Sequence, residues 1–111
     1  MPLATEGRGP VPAVRALASQ IHPVFMLPPV AASLFGGLYG SSFSVRLAAL
    51  HAVAVFCGLY TAHVKDGYVD FYGRGEDEAH PLTERGCRVA LALSTAGFLA
   101  ATVALAVLVN L

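Results

Sequence analysis

The chain has 111 residues, of which 56% are hydrophobic and 13% charged, with seven basic residues against seven acids and a mean hydropathy of +0.65. An ordinary soluble domain carries about 25% charged residues, so this composition excludes one and points to an all-α membrane protein. The balanced net charge of zero removes the electrostatic basis for a nucleic-acid partner.

Residues 1–15 contain Pro2, Gly7, Gly9, Pro10 and Pro12 and are predicted to form a flexible cytoplasmic tail. A secretory signal is not expected, because the first apolar stretch begins late. Residues 16–111 then divide into apolar runs set off by charges. No Asp, Glu, Lys or Arg lies between Arg15 and Arg46, between Arg46 and Lys65, or after Arg88. Each run approaches or exceeds the roughly 20 apolar residues that cross a hydrocarbon core of about 30 Å, and three transmembrane helices follow. The first, about 24–40, contains Pro28-Pro29 and Gly36-Gly37, so a kinked helix packed against neighbours is expected. The second, about 45–64, carries Ala48, Ala52, Gly58 and Ala62, which suit close approach of helix partners in the membrane. The third, about 89–109, is Leu, Val and Ala broken by Gly97.

Orientation follows from the basic residues. With the N-terminus cytoplasmic, Arg8, Arg15, Lys65, Arg74, Arg85 and Arg88 lie inside and Arg46 outside. The positive-inside rule therefore places residues 65–88 in the cytoplasm. Cys57 and Cys87 fit no disulfide framework and no CxxC metal site, and read as small apolar residues. His51, in mid-span, is expected to make a helix-helix hydrogen bond in preference to ligating haem.

The segment HVKDGYVDFYGRGEDEAHPLT, residues 63–83, gathers five of the seven acids: Asp66, Asp70, Glu76, Asp77 and Glu78. If the second helix continues past Val64, Asp66 and Asp70 share one face about 40° apart, with His63 on the same side. Two carboxylates so placed repel unless a cation joins them. Mg²⁺ suits, because it takes oxygen ligands and commonly links one or two carboxylates to a phosphate. Arg74, between Gly73 and Gly75, would then reach a phosphate oxygen, and Lys65 would add a point charge. Glu76-Asp77-Glu78 either extends such a site or is simply solvated. Tyr60, Tyr68, Phe71 and Tyr72 around the motif read either as an interfacial belt or as a lining for a carbocation.

A proline-bearing first span, a second helix running into D-x-x-x-D, a basic residue, then His80-Pro81-Leu82 before a third helix resembles the start of the UbiA superfamily of membrane prenyltransferases. That family's first motif reads about N-D-x-x-D-x-x-x-D, followed some ten residues on by R-P-L. Asp66 and Asp70 match its second and third aspartates. Ala62 and His63 stand at the Asn and first Asp positions, and His80 replaces the Arg.

The resemblance covers roughly residues 10–111 and implies the opening third of a nine-helix bundle. It implies Asp66 and Asp70 as metal and catalytic residues, Asp77 as a supplementary metal ligand, and Arg74 and Lys65 as contacts to the diphosphate. It further implies Mg²⁺-dependent transfer of a prenyl group from an allylic diphosphate to a lipophilic acceptor. His63 would sit behind the ligands. The family's second aspartate motif is not among these residues, so the chain is expected to be part of a longer enzyme and inactive alone. The alternative is a small three-helix membrane scaffold or partner subunit.

Overall fold

The computed structural model describes residues 2–38, 44–75 and 79–110. Among these the chain is helical, with α1 Pro10–Ala18, α2 Pro23–Leu38, α3 Val45–Tyr68 and α4 Glu84–Asn110. A π-helical turn, Val69–Gly73, extends α3, and one isolated antiparallel bridge joins Ala4 to Leu82. The all-α expectation holds.

Local chemistry sets the helix starts. Pro10 and Pro23 occupy first-turn positions, where proline's fixed φ suits a helix and its missing N–H breaks no bond. Ser44 caps α3, its Oγ accepting the Leu47 N–H at 3.3 Å. Thr83 caps α4, its Oγ1 accepting the Gly86 N–H at 2.9 Å.

Two helices are long and apolar enough to cross a membrane: Val45–Gly73, 29 residues with the π turn, and Glu84–Val109, 26 residues. Only 17% and 11% of their most apolar windows are buried, unlike the mostly buried core helix of a soluble protein. Of the three expected spans, two are seen among the described residues. The 16 residues of α2 rise about 24 Å, short of a hydrocarbon core of about 30 Å. Residues 39 and 40 of that expected span lie outside the described residues.

The fold divides into two units. Unit one comprises residues 1–21 and 60–93. Within the segment expected as a tail, residues 2–5 pair with residues 80–83, and residues 10–18 form α1. The Thr5 N–H donates to Pro81 O at 3.0 Å and the Thr83 N–H to Leu3 O at 2.8 Å. Thr5 Oγ1 donates to His80 O at 2.8 Å, and Thr83 Oγ1 shares its proton between the carbonyls of Pro2 and Leu3 at 2.8 and 3.0 Å. Backbone groups that would otherwise need water are thus paired along this segment. Beneath them Val64, Leu82 and Cys87 are fully buried. α1 joins the unit through the Tyr60 hydroxyl, which donates to Leu17 O at 2.7 Å.

Unit two comprises residues 22–59 and 94–111. Small residues bring α3 and α4 together: a Cβ on Gly97 would lie 3.0 Å from Cys57 Sγ, and one on Gly58 would lie 3.6 Å from the Phe98 ring. Ser33 Oγ of α2 hydrogen-bonds His51 Nδ1 of α3, the helix-helix bond expected of a mid-span histidine. Val24, Phe25, Leu27, Phe35, Leu99 and Val103 are exposed.

Gly86 is where the N-terminal segment closely approaches α4, since a Cβ there would overlap Leu3 O. Gly86→Ala is therefore expected to displace residues 2–5 at a cost of about 1–3 kcal/mol. Amide hydrogen exchange would read this as lost protection at Thr5 and Thr83, while protection within α4 persists.

Candidate functional site at the polar end of α3

α3 continues without a break past Val64, so Lys65 and Asp66 stand in its last turn and Asp70 and Arg74 follow in the π turn and at its cap. In the π turn the Arg74 N–H donates to Val69 O, five residues back, at 2.9 Å. The wider turn brings Arg74 alongside Asp70, with Nη1 3.9 Å from Oδ1. Their side chains are 64% and 40% exposed. An ion pair that open to water contributes at most about 1 kcal/mol, so a stronger ligand can separate it. Asp66 and Lys65 are exposed.

The electrostatics of the helix end bear on what this arrangement binds. The C-terminal end of a helix carries partial negative charge, and a carboxylate there is unfavourable by about 0.3–1 kcal/mol. Asp66 and Asp70 both stand at that end, a poor place for two anions and a good one for a cation. The donor set is two carboxylates, and no group of three His, Cys, Asp or Glu side chains converges among the described residues. Mg²⁺, which rests on one or two carboxylates and completes its shell with water and phosphate oxygens, fits this set. Asp77, the supplementary candidate, lies outside the described residues, as do Glu76 and Glu78.

Sequence reasoning gave no structural role to the residues that hold this end in place. His80 stands where the family pattern has Arg, but it is only 7% exposed and faces inward. Its Nδ1 accepts the Leu82 N–H at 3.0 Å, and its ring lies parallel to Phe71, centroids 6.1 Å apart. Cys87 Sγ lies 4.0 Å from both ring nitrogens. The Tyr72 hydroxyl donates to Leu82 O at 2.7 Å. The Tyr68 hydroxyl donates to Glu84 Oε1 at 3.1 Å, and Arg88 pairs with the same oxygen at 3.0 Å.

The aromatic cluster is therefore a clasp between the end of α3 and residues 80–84. Tyr68 is half-buried and Tyr72 exposed, and both spend their hydroxyls on these bonds, whereas buried Tyr60 gives its hydroxyl to Leu17 O. The signal available in the sequence was Thr83 followed by Glu-Arg-Gly, a helix-start pattern. Pairing with residues 2–5, some 80 positions away, left no local trace. His63 is half-buried.

A cavity of about 480 Å³ in unit one is lined by Thr5, Glu6, Arg15, Ser19, His80 and Pro81, among others. Asp66, Asp70 and Arg74 do not line it, so the carboxylates and the cavity are separate features.

No family model matches the chain, and no curated protein or solved structure matches it.

Cys87 is fully buried beside His80, and such cysteines react slowly. Native Cys87 is expected to resist maleimide. His80→Ala, which strands the Leu82 N–H and opens a void, is expected to destabilise the clasp by about 1–3 kcal/mol and to raise Cys87 alkylation about tenfold or more. Timed labelling read by mass spectrometry measures the change.

Proposed function

We propose that these residues form part of an integral-membrane prenyltransferase that moves a prenyl group from an allylic diphosphate to a lipophilic acceptor. In this reading the N-terminus and residues 65–88 face the cytoplasm, and the apolar segment that includes α2 is a third span. One observation carries the proposal. α3 runs unbroken from an apolar stretch long enough to span a membrane into two carboxylates one turn apart, with an arginine one turn further on. This supports a site at which oxygen ligands and a cationic contact would meet a water-borne diphosphate on a lipid-borne chain.

Asp66 and Asp70 hold the metal side of the diphosphate. A Mg²⁺ ion held by them would supply Lewis-acid stabilisation to a departing diphosphate. Arg74, released from its weak pair with Asp70, turns its guanidinium to phosphate oxygens, where its fork geometry matches two of them. Lys65 contributes a point charge. Asp77 supplements the carboxylates. The apolar helices exclude water from the allylic cation until the acceptor attacks.

A second reading, a non-catalytic scaffold or partner subunit, is favoured by the exposed apolar side chains of α2 and α4, which would equally seat helix partners. Mg²⁺-dependent binding of an allylic diphosphate separates the two.

In a chain that includes a second aspartate motif, Asp66→Asn or Asp70→Asn is expected to lower prenyl transfer on the order of 10²-fold or more, with membrane insertion unchanged. Glu76→Gln and Glu78→Gln should change it little. The 111 residues alone are expected to bind diphosphate weakly with Mg²⁺ and to transfer no prenyl group. Wild-type rates for Asp66→Asn would remove the metal assignment.

Topology is read at Arg74, exposed at the turn. Arg74→Cys is expected to react with an impermeant maleimide in inverted vesicles and not in intact cells. Buried Cys87 would report on neither face.

A further inference from the structure

Helix α1 is attached to unit one by one side and exposes an apolar other side. Ala16 is 6% exposed, and the Leu17 carbonyl takes the Tyr60 hydroxyl. Val11 and Val14 are 65% and 64% exposed, and Ala18 is exposed as well. At about 100° per residue these three fall within about 60° of one another, so they form a single face. Arg15 borders that face about 40° from Val11, and Arg8 precedes the helix. No acid occurs between Glu6 and Asp66. Five residues after Ala18, at Pro23, the chain enters the apolar helix α2.

We propose that α1 is an interfacial helix that rests on an anionic bilayer surface, with Val11, Val14 and Ala18 at the acyl boundary and Arg8 and Arg15 among the headgroup phosphates. The charge and the continuity with α2 select a lipid surface as the occupant. The inference rests on the reading of α3 and α4 as membrane spans. Its consequence is positional. Through Tyr60 to Leu17, and through Thr5 to His80 and Pro81, the depth of α1 sets the height at which the end of α3 meets the water.

The chain has no tryptophan, so Val14→Trp and Val103→Trp each create a full-length protein with a single reporter. Both would be reconstituted in phosphatidylcholine-phosphatidylglycerol vesicles, with and without bromine on the acyl chains. Shallow bromines are expected to quench roughly half the Val14→Trp emission, as suits a face about 5–10 Å into the boundary, and dissolved iodide to quench little. Deep bromines should quench the Val103→Trp chain. Arg8→Gln with Arg15→Gln, or omission of phosphatidylglycerol, should reduce the shallow quenching about twofold. Iodide quenching of Val14→Trp without bromine quenching would overturn the proposal and, with Val103→Trp still quenched by bromine, leave the membrane reading intact. Insensitivity of Val14→Trp to both quenchers would mean that protein covers α1, a second copy included, and would overturn it too. A Val103→Trp chain blind to bromine would defeat the membrane reading and this inference together.

Discussion

Thr83 lies where two segments of unit one meet a third, and its two polar groups serve all of them. The hydroxyl accepts the Gly86 N–H and so starts α4, while its proton goes to the carbonyls of Pro2 and Leu3. The backbone N–H donates to Leu3 O. Without these bonds the first residues of the chain would have no edge to pair with, and Leu82 and Cys87 would lose their cover. The constraint behind this is that backbone groups shielded from water must be paired. Here a polar segment between two apolar helices meets that demand by borrowing residues 2–5.

The same clasp bears on the carboxylates. Tyr72 and Phe71 sit in the π turn with Asp70, and both are engaged with residues 80–82, by the hydroxyl of one and the ring of the other. Gly67 leaves room for this arrangement, since a Cβ there would stand 3.0 Å from His80 Nε2. The turn that carries Asp70 and Arg74 is thus fixed on its inner side and open on its outer side. The pairing of Asp70 with Arg74 on that outer side is open to water and correspondingly weak.

Unit two follows a different logic. Its helices approach through Gly97, Cys57 and Gly58, where dispersion between closely set backbones replaces large buried side chains. The Ser33–His51 bond adds a directional contact between α2 and α3. Phe25, Phe35 and Val103 remain outward. Such a surface is at ease in lipid or against further helices.

The helical class, the long second and third apolar helices, the run of the second past Val64 into Asp66 and the helix-helix bond of His51 were all legible in the sequence. Each depends on local periodicity, composition or the absence of charge, which neighbouring residues carry between them. The tertiary structure alone decided that residues 2–5 and 10–18 are part of unit one, that α2 is a 16-residue helix among the described residues, and that His80 turns inward as a packing residue. It also assigned the Tyr68 and Tyr72 hydroxyls to a clasp, where the sequence had left a belt and a cation lining both open. These features arise from contacts between residues far apart in the chain, such as Thr83 with Pro2 and Tyr60 with Leu17. A proline-rich start reads as a tail until the edge that it pairs with is known, because what orders it is a partner some 80 residues away.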